Sequence, residues 1–269
     1  MTDDAIRQST EIVRARDPDR YLSDLFAPAA VRPHLLALHA FAIEVSDIRP
    51  KVSQSMLGEI RLKWWETAIR GEHGGNPLAV AVAEAITTFN LPLAAFDNLL
   101  RARIFDLYDD QMPSLNDLEG YAGDTESTLM QLGALILSGG EDPGTAEVAG
   151  LAGVAVAVTR LLRTLPRHAA EGQSFLPRDV LDRHGGTPDG VRATVAELRT
   201  LARRRLDEAR AAFGATHHAA LPAFLPAAMA PLYLDRMEHP GFDPLRDTAD
   251  VSPFRRQWTL WRAARKGRF

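Results

Sequence analysis

The sequence predicts an all-α protein of one domain. Three observations carry that expectation. Apolar residues recur every three or four positions along most of the chain. Prolines and glycines fall where the periodic stretches begin and end. No run of alternating β-branched residues is bounded by turn residues. With 269 residues, 46% of them apolar and 25% charged, the chain can build a sizeable core. No low-complexity linker divides it and no repeat period is evident, so residues 1–269 read as a single unit.

The elements follow in order. Pro33 suits a helix start, where its missing N–H is not needed. Leu35, Leu38, Ala42 and Val45 recur behind it, and Pro50 ends the run. A second helix is expected from near Ser53, with Met56, Ile60, Trp64 and Ala68 on one stripe and Gly71 just past its end. A third spans about Pro77 to Phe89, and a fourth Pro92 to about Asp109. Ser114-Leu-Asn-Asp117 resembles a capping box, opening a helix that runs to about Leu137 and breaks at Ser138-Gly139-Gly140. The next covers roughly Thr145 to Leu165 and stops at Pro166. A short helix at Arg178 to Arg183 ends before Gly185-Gly186. A long charged one spans Pro188 to Phe213, with an apolar face of Val191, Val195, Leu198, Leu201 and Leu206. Two more are expected, at Ala219 to Glu238 and at Pro253 to Lys266, for about nine or ten helices in all.

Several chemistries are excluded. There is no cysteine, hence no disulfide and no thiolate metal site. The net charge of −4 provides no overall field toward nucleic acid. Met1-Thr-Asp-Asp-Ala-Ile-Arg7 places acids before any apolar run and reads as neither signal nor transit peptide. No stretch approaches the ~18 uncharged apolar residues of a membrane span. Zinc-protease, dinucleotide, P-loop and nucleophile-elbow motifs are all missing. The eight histidines are scattered, and the adjacent pair His217-His218 cannot share a helix face, so it reads as surface.

A pattern in the N-terminal third is more informative. Tyr21, Phe26-Ala-Pro28, Arg32 and Ala37-Leu-His-Ala-Phe41 resemble the opening of the squalene/phytoene synthase family. Glu59-Ile-Arg61-Leu-Lys-Trp64-Trp65-Glu66 resembles that family's Arg-x-x-Trp-Trp helix, and Asn76-Pro77-Leu78 its next helix start. Asp106 and Tyr121-Ala122 fall where the family has an Asp and a Tyr on consecutive helices. Ala157-Val-Thr-Arg160-Leu-Leu-Arg163 and Phe175-Leu176-Pro177 through Gly185 resemble its later segments. The likeness covers roughly residues 10 to 265. It implies an isoprenoid-synthase-type helical bundle around a central cavity.

The departures from that pattern bear on chemistry. The family's members ionise an allylic diphosphate with Mg2+ held by carboxylates, and Mg2+ requires hard oxygen ligands in near-octahedral geometry. Acids four apart share a helix face, which suits them to clamp metal from facing helices. Here the first acidic motif reads Ser46-Asp47-Ile48-Arg49-Pro50, and only Asp47 survives. The positions of the second motif read Thr164 and His168, with Arg160, Arg163 and Arg167 around them. In these departures the chain resembles the branch typified by complex I (NADH:ubiquinone oxidoreductase) assembly factor 6. That resemblance implies a non-catalytic role in building a respiratory complex, with no cofactor expected and an assembly-partner protein or an isoprenoid-like lipid as partner. The alternative is an active prenyltransferase that uses Mg2+ with Asp47, Asp106 and Asp110.

Each residue also has a plainer reading. Asp47 can be a helix-end residue paired with a nearby arginine. Asp106 and Asp110 share a face of the expected fourth helix, yet Asp109-Asp110 also reads as a solvated helix end before Met112-Pro113. Asp124 and Glu126, two apart, should diverge. Trp64 and Trp65 face apart, and core packing is the expected role of either. Arg160, Arg163, Arg167, His168 and Tyr121 form either a substrate or anion site or, for the arginines, a solvated face. The tail 253–269 holds six Lys or Arg residues, with Phe254, Trp258 and Trp261 on one stripe. It reads either as a last helix docked on the core or as a peripheral membrane contact. The expected location is the cytoplasm, or peripherally on the inner face of a membrane.

Overall fold

Thr2 opens the first helix, α1 (Asp3–Arg16): its hydroxyl accepts from the Ala5 amide, and Asp3 and Asp4 sit in the first turn, where the helix dipole favours acids. Asp17 caps the second, α2 (Pro18–Asp24), by accepting from the Arg20 amide at 3.1 Å. Then come α3 (Arg32–Ser46), α4 (Ser55–Ala68), α5 (Pro77–Thr88), α6 (Leu93–Ala102), α7 (Leu115–Ala122) and α8 (Thr128–Leu137). The second half holds α9 (Ala146–Arg163), α10 (Leu165–Ala170), α11 (Arg178–Arg183), α12 (Pro188–Ala212), α13 (Leu221–Phe224), α14 (Ala230–Met237) and α15 (Pro253–Lys266). The computed structural model describes residues 1–269, the side chains of Ala215 and Thr216 excepted.

Apolar surface gathers into two clusters. In the first, α3 is buried continuously from Leu35 to Ile43 and packs against α1, α5 and α8. In the second, α9 lies along α12 and is backed by the stretch from Leu221 to Leu234. Leu137 touches both clusters. A central cavity of about 520 Å³ is walled by residues from each, with Ile43 on one side and Val156, Ala157 and Phe175 on the other.

The all-α expectation holds, but the segmentation is finer than nine or ten helices. The first thirty residues, where the sequence offers no long apolar stripe, form α1 and α2; α1 buries only Ala5, Ser9 and Val13. The expected fourth helix ends at Ala102 rather than near Asp109. Phe105–Leu107 is a 3-10 turn, and the following strand-like stretch pairs with a distant segment through Met112 N to Ser174 O at 2.9 Å. Pro113 favours that extended backbone in the residue before it. Asp106 and Asp110 therefore share no helix face, contrary to the sequence reading.

The helix expected from Ser114 to Leu137 carries a π-helical turn at Gly123–Ser127, and such turns recur at functional sites. Pro166 does not simply stop the helix before it. It sits in the first turn of α10, so the chain bends at Thr164 and continues. Pro222, Pro226 and Pro231 divide the expected Ala219–Glu238 helix into α13, two 3-10 turns and α14. Of the two tryptophans, Trp65 is buried edge-on against Phe41 at 5.1 Å, whereas Trp64 stays partly exposed, so core packing describes only one of them.

Candidate functional site

The cavity lies where many chain segments converge, four of which carry most of the residues singled out in the sequence. The end of α3 and the turn after it contribute Ser46, Asp47, Arg49 and Pro50. The second half of α9 and the start of α10 contribute Arg160, Arg163, Thr164, Arg167 and His168. The α1–α2 junction brings Arg16, Asp17 and Asp19, and the π-turn region brings Tyr121, Thr125 and Glu126. The two stretches that the family resemblance aligns with acidic motifs thus border one hollow. Asp110 does not line it and is exposed.

Seven arginines and six carboxylates border the cavity. The carboxylates are mostly engaged by arginine, which leaves the hollow close to neutral. Asp47 ends α3 and accepts from Arg16 at 2.7 Å. Asp106 closes a triangle: Arg103 donates to it at 3.0 Å and to the Tyr121 hydroxyl at 2.7 Å, and that hydroxyl donates to Asp106 at 2.7 Å. Burial raises the Tyr121 pKa well above its ordinary value despite the Arg103 charge, so this hydroxyl stays a donor.

A second network is more deeply buried. Arg160 donates to Asp17 at 2.6 Å and approaches Glu126 within 3.4 Å. Arg20 bonds Glu126 directly and lies 3.5 Å from Asp17. Burial alone would raise both carboxyls. The Arg160 and Arg20 charges outweigh it, holding Asp17 well below the usual carboxylate range and lowering Glu126. Beside them, Asp19 takes a hydrogen bond from Tyr233 at 2.6 Å and faces Arg256 at 2.7 Å and Arg163 at 4.0 Å. Burial and the neighbouring Asp17 nonetheless leave the Asp19 pKa raised.

The remaining predicted residues divide. Arg163 lies over the Tyr233 ring, 3.7 Å from its centre, and donates to the Ala249 carbonyl at 3.1 Å. The Thr164 hydroxyl donates back to the Arg160 carbonyl at 2.9 Å. His168 is buried against Phe175, and burial with the nearby Arg167 charge lowers its pKa from 6.5 to about 4, so it is neutral at pH 7. Arg167 is exposed at the cavity wall and has no acidic partner among the described residues. The three arginines of this stretch thus differ in setting: Arg160 on carboxylates, Arg163 over the Tyr233 ring and Arg167 exposed.

This donor set does not suit Mg2+. Asp47 stands alone on its helix end, Thr164 and His168 offer a hydroxyl and an imidazole, and the acids nearest α9 are bonded to guanidinium groups. Among the described residues, no group of three His, Asp or Glu side chains could hold a metal ion. Mg2+ would have to displace arginine from every cavity carboxylate except Glu171.

Sequence reasoning missed Asp17, Asp19, Arg20, Glu126, Tyr233 and Arg256. Asp17-Pro18-Asp19-Arg20, two acids flanking a helix-starting proline, was a readable signal. Glu126 does diverge from Asp124, but it turns inward, which spacing alone could not reveal.

Comparison with known proteins bears on this site. The squalene/phytoene synthase family model matches residues 13–262. NADH dehydrogenase (ubiquinone) complex I, assembly factor 6 of Mus musculus is 29% identical over 246 residues, covering 87% of this chain and 74% of the relative. Phytoene synthase of Thermus thermophilus is 26% identical over 271 residues, covering 96% and 92%. A dehydrosqualene synthase crystallised with ligand matches with a TM-score of 0.82 at 17% identity, over 98% of this chain and 96% of that one. The bundle is thus of the isoprenoid-synthase type.

Proposed function

The chain belongs to the squalene/phytoene synthase family, and from that premise we propose that it is a non-catalytic member acting in the assembly of respiratory complex I. One observation carries the proposal. Asp17, Asp19, Asp47, Asp106 and Glu126, five of the six carboxylates bordering the cavity, are each paired with arginine. An arginine so placed supplies the positive charge that a metal would otherwise bring, but it is tethered and cannot expand its coordination to a diphosphate leaving group. The likeness to complex I assembly factor 6 supports the assembly role. A protein on the assembly path and an isoprenoid-like lipid are the proposed partners. Arg160, Arg163, Arg167, His168 and Tyr121 are the proposed contacts for an anionic head group, with Arg167 foremost because no carboxylate competes for it.

The rival reading, a Mg2+-dependent condensing enzyme using Asp47, Asp106 and Asp110, draws support from the likeness to the Thermus synthase. Two measurements separate the readings. Purified protein incubated with farnesyl or geranylgeranyl diphosphate and Mg2+ should form no C30 or C40 product. Deleting the gene in its host should reduce assembled NADH:ubiquinone oxidoreductase on native gels, and an Asp47→Asn copy should restore it as well as the unaltered gene does. A condensed product, or full assembly in the deletion strain, would refute the proposal.

A further inference from the structure

The last helix turns its largest side chains away from the protein. On its inner side α15 docks through Leu260 and Ala263, both buried. Phe269 then closes onto Phe213 at 5.2 Å and Phe224 at 5.7 Å. The core side of the helix is thus filled without its aromatic stripe. Phe254, Trp258 and Trp261 lie on the opposite side, 73%, 49% and 42% exposed. Their spacing of four and three sets them on one ridge. The two indoles stack with centres 5.0 Å apart and planes 23° from parallel, presenting one flat apolar plate.

Cations flank that plate. Arg255, Arg262 and Lys266 form a neighbouring exposed ridge, and the Arg265 guanidinium lies 5.4 Å from the centre of the Trp261 ring. Residues 253–269 include no Asp or Glu, although the whole chain carries a net charge of −4. Arg256 points inward to Asp19. Arg255, Arg262, Arg265, Lys266 and Arg268 have no acidic partner among the described residues. The positive charge is therefore local and uncompensated.

We propose that the outer face of α15 docks on an anionic lipid surface. Indole rings settle at head-group depth, where an apolar body and a polar N–H are both accommodated. Unpaired basic residues beside them are drawn to anionic head groups. The match is of charge as well as polarity, which selects an anionic bilayer over a neutral one. The inner side of the same helix supplies Arg256 to the cavity wall, so docking holds the cavity beside the bilayer. Such docking requires neither the assembly role nor a catalytic one.

The test uses the full chain and sedimentation with vesicles of phosphatidylcholine alone or mixed with phosphatidylglycerol. The protein should pellet with the mixed vesicles, less so as salt is added, and not with the neutral ones. Trp258→Ala with Trp261→Ala, and separately Arg262→Glu with Lys266→Glu, should each weaken partitioning by roughly tenfold or more. Trp64→Phe, which alters the exposed indole of α4, should leave it unchanged. All these side chains point outward, and unchanged thermal melts would establish that each variant folds. Failure of the unaltered protein to pellet with anionic vesicles would overturn the proposal. So would equal binding to neutral vesicles, or full binding by both double variants.

Discussion

Arg20 and Glu126 are each 4% exposed and bonded to one another across 106 residues of sequence. Removing Arg20 leaves the buried carboxylates of Asp17 and Glu126 to share Arg160 alone, so one buried negative charge goes uncompensated. Arg20→Met should therefore lower the unfolding free energy by about 3–5 kcal/mol in urea titrations at pH 7. Adding Glu126→Gln should recover part of the loss, because the stranded charge goes with it. His168 makes a separate prediction. Its pKa falls from 6.5 unfolded to about 4 folded, so only the unfolded chain gains a proton as pH drops through that window. Stability should decline from pH 6.5 toward 4, by an amount of order 3 kcal/mol at most. A His168→Gln variant should show less of that decline. Asp17 and Glu126, with depressed values, act in the same direction but below the ordinary carboxylate pKa. Asp19 and Asp24, with raised values, act in the opposite one: they weaken the fold once ionised. Comparing the urea midpoints of the two proteins across the series isolates the histidine.

At the scale of elements, the π turn and α9 depend on close approach. Gly153 of α9 has the Ser127 hydroxyl and backbone directly over its Cα, so a Cβ there would collide with the turn that presents Glu126. Gly153→Ala should destabilise the protein by about 1–3 kcal/mol through overpacking, read as a lower melting temperature. Gly150, one turn earlier on the same helix, meets nothing within 4 Å. Gly150→Ala should instead be neutral or stabilise by about 0.5–1 kcal/mol, since alanine restricts the unfolded chain. If both substitutions behaved alike, helix propensity rather than contact would govern this interface. The short helices α10, α13 and α14 follow the same logic of local constraint, each starting with a proline in its first turn.

At the scale of the molecule, the two apolar clusters meet around a cavity with nearly balanced charge. Under the proposed lipid-binding role, an amphiphile with an anionic head would be held in this hollow without metal by Arg167, for which no carboxylate among the described residues competes. An unreactive isoprenoid diphosphate analogue should therefore raise the melting temperature in EDTA as much as in Mg2+. At a concentration about a hundredfold above Kd the gain would be about 2.7 kcal/mol. Arg167→Glu should diminish the shift. A shift seen only with Mg2+ would indicate that the carboxylates release their arginines to a metal after all. Among the described residues, no helix is long and apolar enough to cross a membrane.

Local pattern was enough to specify the all-α class and the bounds of α11 and α15, while the two stretches that border the cavity were marked only by the family resemblance. Periodicity, proline starts and glycine stops act over a few residues and so are written in the sequence. It could not show that Arg160 would meet Asp17, 143 residues away, or that Glu126 would turn inward across a π turn. Nor could it show that the aromatic stripe of α15 faces outward, because Leu260 and Ala263 had already filled the core side. The partner of a charge is chosen by distance through space, and a helix's outer face by what already occupies the inner one. Only the tertiary structure decides either.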